Sequence, residues 1–300
     1  MLDKANCRTV VVATDFSENA AVALRAAADF TERESARLVL VHAVLAMAPA
    51  APEFVPLPPS MYDELRESAS AQLDEAVERL RASGRLVEPL VVLEPAAAGV
   101  VAAAVERKAD LIVAGTRGAT GWQRLLVGST AARLVREAPC PVLVVPRAIT
   151  SKRVRTVLVA TDFSDDAAAA ATAAARLVDD TKPGAKIFLL HAYRYPSALS
   201  GLDGERLVEA IRATHESAEK RLADLARHVA VPGISVETSA EPGEPTESIL
   251  SKASEIGADL IAMGTHGRSG LKRLFLGSNT ERVVSAASCA VLTARVPAAT

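Results

Sequence analysis

The chain is poor in aromatic residues and in cysteine, and it has no long apolar run. Aromatic side chains make up 3% of its 300 residues, so Val, Leu, Ile and Ala must build the core. Three widely spaced cysteines, Cys7, Cys140 and Cys289, argue against a disulfide scaffold and against a zinc site. No apolar run reaches the roughly 18 residues of a membrane span, and no signal peptide precedes the strand pattern that begins at Thr9. We therefore expect a cytoplasmic protein that does not cross a membrane.

An excess of one charge is also missing. The formal net charge is −2, and residues of both signs are mixed along the chain. Proteins that bind nucleic acid usually carry a basic patch, so we expect no nucleic-acid partner. Half of the residues are hydrophobic, and 300 residues suit two globular domains of ordinary size.

A glycine motif occurs twice in the chain. The first copy is Gly115-Thr116-Arg117-Gly118, then nine residues, then Gly128-Ser129; the second is Gly264-Thr265-His266-Gly267, then nine residues, then Gly277-Ser278. Each position of the second copy is numbered 149 higher than its counterpart. The chain is therefore a duplicated unit. We predict domains at residues 1–148 and 153–300, joined by a short polar linker within residues 147–153.

Apolar strand patterns alternate with helical patterns in both halves. In the first half the strands are predicted at residues 10–13, 38–44, 87–93, 110–114 and 141–145. Their continuous apolar character is typical of strands that are covered on both faces. The sequence thus predicts an α/β fold of two tandem Rossmann-like domains, each a five-stranded parallel sheet with helices on both faces.

Ligands of such sheets bind beyond the carboxyl ends of the strands, which directs attention to the loops there. Thr-Asp-Phe-Ser follows the first strand of each half, with Asp15 and Asp162 as the carboxylates. Each aspartate has two interpretations. It caps the next helix, or it contacts a ligand by accepting a hydrogen bond from a base or sugar or by holding Mg²⁺.

The glycine motifs have the composition of an anion site. Glycine lets backbone N–H groups approach an anion, and Gly128-Ser129 and Gly277-Ser278 precede predicted helices, whose N-termini attract negative charge. Basic residues lie in or near the two motifs: Arg117, Arg124, His266, Arg268, Lys272 and Arg273. The alternative is a pair of structural glycine turns with an N-terminal serine. Two intact copies favour phosphate binding.

The remaining reactive residues are interpreted as structural. His42 and His191 close the second strand of each half, and neither has a metal-like partner in the sequence. Cys140 and Cys289 occupy one equivalent position and are expected to be small buried residues. His266 has Arg117 as its counterpart, so it is not a catalytic residue shared by the halves. Neither a P-loop, nor a dinucleotide fingerprint, nor a Ser-His-Asp pattern is present, so no catalytic residue is predicted.

Together these features resemble the universal stress protein family in its tandem two-domain form, over essentially the whole chain. The long glycine motif is typical of the ATP-binding branch of that family. The resemblance implies an adenine nucleotide alpha hydrolase-like fold that binds ATP, with Mg²⁺ as a possible companion. It also implies an intrachain pseudo-dimer paired through the fifth strands, and a homodimer of two chains. The implied ATP contacts are Asp15, Ala43, Gly115, Gly118, Gly128 and Ser129 in the first half, and Asp162, Ala192, Gly264, Gly267, Gly277 and Ser278 in the second.

The halves depart from each other after the third strand. The second half has the Gly-x-Pro that is frequent in the family, at residues 243–245, whereas the first half has Glu94-Pro95-Ala96. The first site is therefore expected to bind more weakly or to differ in shape. Three functions remain open: an ATP-binding regulator of stress adaptation, a slow ATPase or nucleotidyl or phosphoryl transferase, and an interaction module that has lost its ligand.

Overall fold

The computed structural model describes residues 7–44, 58–116, 128–146, 153–179, 181, 183–195, 201, 203–266 and 276–296. The chain divides into two compact units, one within Ala5–Lys152 and the other within Arg153–Thr300. Most of the proline-rich segment at residues 49–59 and of the predicted linker at 147–153 lies outside the described residues.

The described residues of the first unit form five strands and four helices in strict alternation. Its sheet has the order β3-β2-β1-β4-β5, and the paired strands are parallel. The elements are β1 (Thr9–Thr14), α1 (Glu18–Glu34), β2 (Arg37–Ala43), α2 (Pro59–Arg81), β3 (Val87–Val92), α3 (Ala96–Glu106), β4 (Leu111–Gly115), α4 (Ser129–Glu137) and β5 (Val142–Val145).

The second unit repeats this arrangement. Its strands are parallel in the order β8-β7-β6-β9-β10. The elements are β6 (Thr156–Ala160), α5 (Asp165–Leu177), β7 (Lys186–Tyr193), α6 (Gly204–Val229), β8 (Ser235–Pro242), α7 (Pro245–Glu255), β9 (Leu260–Gly264), α8 (Ser278–Ala286) and β10 (Ala290–Ala294). The predicted fold class is therefore confirmed.

Short aliphatic strands explain why helices cover both faces of each sheet. Every residue of β5 is buried, and four of the five residues of β6 are buried. Right-handed crossovers that run in opposite directions along a sheet place their helices on opposite faces. In the first unit α1 and α2 therefore cover one face, and α3 and α4, which contact each other, cover the other.

The strand order reverses between β1 and β4 in the first unit, and between β6 and β9 in the second: successive strands are added on one side of β1 or β6 and then on the other. At the amino ends of these strands an aspartate fixes their register. Asp110 Oδ2 accepts hydrogen bonds from the N–H groups of Arg8 and Thr9 at 2.8 and 3.0 Å. Asp259 Oδ2 accepts the equivalent bonds from Arg155 and Thr156, both at 2.9 Å. The carboxyl ends of the same strands then open toward the predicted sites.

Candidate functional site

The loop after β6 is held in one conformation by its own side chains. Thr161 Oγ1 accepts a hydrogen bond from the N–H of Phe163 at 2.9 Å, and Asp162 Oδ1 accepts from the N–H and hydroxyl of Ser164 at 3.0 and 2.6 Å. Ser164 is the N-cap of α5, and its Oγ accepts from Ala167 N–H at 3.3 Å. Phe163 has a φ of 64°, in the left-handed region. The serine, and not the aspartate, therefore caps the helix, and Asp162 lies at the sheet edge.

The first unit has the same loop after β1. Asp15 Oδ1 accepts from Ser17 N–H at 3.0 Å, Ser17 caps α1, and Phe16 has a φ of 59°. The strand-terminal histidines support both loops. His42 Nδ1 lies 2.9 Å from the Thr14 carbonyl oxygen. Because a carbonyl only accepts, the histidine nitrogen must donate.

The histidine of the second unit repeats this bond at shorter range. His191 Nδ1 lies 2.6 Å from the Thr161 carbonyl oxygen, and the ring centroids of Phe163 and His191 are 4.3 Å apart. The rings of Phe16 and His42 are in the same tilted arrangement, with centroids 4.5 Å apart. The structural role that was predicted for both histidines is confirmed.

The first glycine of each motif has a packing role in addition to the one expected. A Cβ built on Gly264 would lie 2.8 Å from the backbone nitrogen of Ala167 and 2.9 Å from the Cβ of Asp166. A Cβ on Gly115 would lie 3.0 Å from the carbonyl oxygen of Asn19. These glycines end β9 and β4 directly against the first turns of α5 and α1. The close contact between strand and helix therefore requires glycine at these positions, whether or not an anion binds nearby.

The Gly-Ser pair of the second motif begins α8. Gly277 is the N-cap, and its N–H donates to the Thr265 carbonyl oxygen at 2.9 Å. A Cβ on Gly277 would lie 3.1 Å from that oxygen, so the glycine lets the helix start close to the end of β9. Among the described residues, no side chain caps α8. By helix geometry, the first-turn N–H groups that follow Gly277 have no partner within the helix and can receive an anion.

Two hydroxyl groups tie the start of α8 to its neighbours. Thr280 Oγ1 donates to the Gly264 carbonyl oxygen at 2.8 Å, and Thr246 Oγ1 donates to Asn279 Oδ1 at 3.1 Å. Thr280 is 4% exposed, so its bond is shielded from water. These contacts fix the direction in which the first N–H groups of α8 point.

An Asp–His pair borders the same helix N-terminus. His266 Nδ1 lies 3.1 Å from Asp166 Oδ2, which also accepts from the His266 N–H at 3.2 Å and from Thr265 Oγ1 at 3.1 Å. The other carboxylate oxygen of Asp166 accepts from Val296 N–H at 2.9 Å. Four polar contacts thus position one carboxylate behind the imidazole.

A cavity of about 240 Å³ opens among these elements. It lies at the carboxyl ends of β6 and β9, where the strand order reverses. The cavity is lined by five of the residues that the sequence analysis named as contacts of the second site: Asp162, Ala192, Gly264, Gly277 and Ser278. His266, Asn279, Thr280 and residues of β6, β7, β9 and α7 complete the lining.

The chain belongs to the universal stress protein family. The sequence matches the Universal stress protein family over residues 6–146 and again over residues 153–295. Universal stress protein Rv2623 of Mycobacterium tuberculosis is 30% identical over 296 residues, which cover 95% of this chain and 96% of that protein. Universal stress protein YxiE of Bacillus subtilis is 35% identical over 146 residues, 46% of this chain and 97% of that protein.

Solved structures agree with the tandem fold of this universal stress protein. The crystal structure of a universal stress protein from Archaeoglobus fulgidus superimposes with a TM-score of 0.66 and 23% identity, over 98% of this chain and 99% of that one. At this identity the likeness establishes the fold alone.

In the first unit, the residues predicted to contact ATP lie at positions equivalent to those in the second unit. Asp15 follows β1, Ala43 ends β2, Gly115 ends β4, and Gly128 and Ser129 begin α4. Gly128 N–H donates to the Thr116 carbonyl oxygen at 2.7 Å, as Gly277 does in the second unit. Gly118 and Gly267 lie outside the described residues, as do the basic residues of the motifs apart from His266.

Other expectations can be placed as well. Cys289 is buried, as expected, and its burial raises the pKa of the thiol to about 11; Cys140 is half-buried. Within the described part of the chain, His, Cys, Asp and Glu side chains do not group into a possible metal site. Nor does any helix there combine the length and apolarity that a membrane crossing requires.

Asp166 is the site residue that the sequence analysis missed. It follows the Thr-Asp-Phe-Ser motif and meets His266 only through the fold, 100 residues later. One signal was available. The first unit has Asn19 and Arg117 where the second has Asp166 and His266, so both members of the pair differ between the halves.

Proposed function

We propose that this universal stress protein binds ATP in both units and acts in stress adaptation as a nucleotide-dependent regulator, not as a strong catalyst. The single observation that supports this most is the cavity of the second unit. There the carboxylate of Asp162 and the end of β7 at Ala192 share one space with the start of α8 at Gly277 and Ser278. An adenosine suits the first end, and a phosphate tail suits the second.

Charge and hydrogen bonding support the same arrangement. The N-terminus of α8 carries a partial positive charge and uncapped N–H groups. The Ser278 hydroxyl lines the cavity beside them. In this proposal the phosphates are held mainly by backbone amides, and Ser278 adds one hydrogen bond, which is typically worth about 1 kcal/mol.

Calorimetric titration of the full chain with ATP, ADP and adenosine tests the proposal. We expect two ATP sites per chain, and we expect adenosine to bind far more weakly because it lacks the phosphates. Asp162→Ala should weaken one site, and its matched control Asp15→Ala should weaken the other. A chain that binds no ATP, shows no thermal shift with Mg-ATP and purifies without nucleotide would refute the proposal.

A slow ATPase or a nucleotidyl or phosphoryl transferase is the second candidate. The Asp166–His266 pair favours it, because a carboxylate that orients an imidazole is one way to position a general base. The nucleotide content of protein purified without added ligand separates the candidates. Stoichiometric ADP and phosphate release over minutes would favour the enzyme, and retained ATP would favour the regulator.

Assembly and location complete the proposal. We expect the two units to form a pseudo-dimer and the chain to form a homodimer in the cytoplasm, where ATP is available. Light scattering coupled to size exclusion measures the mass of the particle. A single chain of 31.3 kDa at micromolar concentration would contradict the homodimer.

A further inference from the structure

The loop residue Phe163 is contacted from two elements of the second unit. From α6, the guanidinium carbon of Arg221 lies 4.1 Å from the centroid of the Phe163 ring, well within the range of a cation–π contact. From β7, the centroid of the His191 ring lies 4.3 Å from the same centroid. Arg221 Nη2 also donates to the Phe163 carbonyl oxygen, at the long distance of 3.5 Å. One guanidinium group therefore contacts both the side chain and the main chain of this residue.

Phe163 is also the residue of the loop whose backbone needs support. Its φ of 64° lies in the left-handed region, which is unfavourable for a residue that has a Cβ. The Asp162 carboxylate accepts a hydrogen bond from Ser164 N–H across Phe163, and Asp162 lines the cavity. Because relaxation of φ at Phe163 would reorient both neighbours, contacts that hold Phe163 also hold the Asp162 carboxylate at the sheet edge.

The first unit has the same loop without the arginine. Leu73 of α2 and Leu222 of α6 are both fully buried, and their numbers differ by the same 149 positions as the glycine motifs. The residue before each leucine is therefore equivalent, and it is Gln72 in the first unit and Arg221 in the second. Glutamine is uncharged and cannot supply a cation to the phenylalanine ring of its loop.

The exposure of the two loops differs accordingly. Phe16 is 38% exposed, whereas Phe163 is half-buried. The aspartates follow the same trend, because Asp15 is exposed and Asp162 is half-buried. The loop that carries the arginine contact is thus the more enclosed of the two.

We propose that Arg221 is a positioning residue of the second nucleotide site. Through Phe163 it holds the loop in the conformation in which Asp162 contacts the nucleoside. The inference rests on the proposed function and adds that the second site binds nucleotide more tightly because of this contact. The affinity of a site falls with the fraction of molecules in the binding conformation, and Arg221 raises that fraction. Arginine stays charged at every physiological pH, so its effect does not depend on pH in that range.

The experiment is calorimetric titration with ATP in the Asp15→Ala background, where the first site is weakened. Arg221→Met keeps a long apolar side chain and removes the charge and the donor. We expect it to lower the ATP affinity of the second site about three- to tenfold, and Arg221→Lys, which keeps a cation, to restore most of the loss. Arg212→Met is the matched control, because Arg212 is an exposed residue of the same helix that pairs with Glu216 at 3.7 Å. It should leave the affinity unchanged.

The first unit allows the reverse experiment. Gln72→Arg, in the Asp162→Ala background, adds the cation to the first loop and should raise the ATP affinity of the first site by a similar factor. Because it removes no contact of the native chain, it tests the inference even where Arg221→Met does not fold.

Hydrogen exchange without nucleotide measures the loop itself. The N–H groups of Phe163 and Ser164 donate to side chains of the same loop, so their exchange reports its opening. We expect faster exchange there in Arg221→Met and no change in Arg212→Met. ATP binding with the same affinity and the same loop exchange in Arg221→Met would overturn the inference and leave the proposed function intact. Absence of ATP binding by every chain would overturn both.

Discussion

Replacing Gly264 with alanine tests whether the end of β9 must touch the first turn of α5. The added Cβ would lie 2.8 Å from the nitrogen of Ala167, 2.9 Å from the Cβ of Asp166 and 3.0 Å from its carbonyl carbon. Ordinary contacts of this kind are about 3.5–4 Å, so strand and helix must separate. Two of the three obstructing atoms belong to the backbone and cannot rotate away. Overpacking of this kind costs about 1–3 kcal/mol of unfolding free energy.

The chain supplies two matched controls for this substitution. Gly201 has no atom within 4 Å of the position of its Cβ, so Gly201→Ala reports only the effect of alanine on the unfolded chain. Gly115→Ala meets Asn19 at the longer distances of 3.0, 3.1 and 3.3 Å and should cost less than Gly264→Ala. The expected order of stability is Gly201→Ala, then Gly115→Ala, then Gly264→Ala.

Urea unfolding followed by far-ultraviolet circular dichroism is the assay, because the single tryptophan, Trp122, reports only on the first half. We expect Gly264→Ala to lower the transition of the second unit, since the added Cβ displaces the first turn of α5. Equal stability of Gly264→Ala and Gly201→Ala would refute the close contact as the reason for glycine at this position.

Two further predictions concern buried ionisable groups. The side-chain hydrogen bond from Thr181, together with the hydrogen bond and the charge of Arg153, lowers the pKa of Asp179 to about 2, although burial of the carboxylate acts to raise it. Because the folded-state pKa lies below the ordinary value of 3.8, the stabilisation is present above about pH 4 and is lost as pH falls toward 2. Asp179→Asn should lower the unfolding free energy by about 2 kcal/mol at pH 7 and less at pH 3 in urea titrations, and an equal loss at both would contradict this. Cys289, whose thiol pKa burial raises to about 11, should resist iodoacetamide at pH 8 until the chain is unfolded, as peptide mass spectrometry would show; rapid labelling of the native protein would contradict its burial.

The sequence predicted the fold well because its signals are local and repeated. Apolar runs of four to seven residues mark the strands of the first half, and every predicted bound lies within one residue of the observed one. The helical patterns predict the starts of α2 and α3 at residues 62 and 99, three residues after the observed Pro59 and Ala96. Proline begins α2 because it occupies a first helical turn without loss. Helix and strand ends depend on single hydrogen bonds, which composition does not reveal.

The site was predicted in part, for a reason that lies in the fold. Asp162, Gly277 and Ser278 belong to short motifs, so their spacing was visible in one dimension. Asp166 meets His266 only after α5 has packed on β9, and no spacing rule anticipates that contact. The packing role of Gly264 was missed for the same reason, because the sequence analysis considered only an anion and not the helix behind the strand.

The left-handed phenylalanines carry a practical consequence for recognising this loop in other chains. A left-handed backbone costs a non-glycine residue about 1–2 kcal/mol, yet Phe16 and Phe163 both adopt it. Each ring rests on the histidine that also binds the preceding threonine carbonyl, so the cost is offset nearby. The tetrapeptide and the distant histidine thus form one composite signature. A search that demands both, with the histidine 26 to 28 positions after the phenylalanine, should select this turn more sharply than a search for either alone.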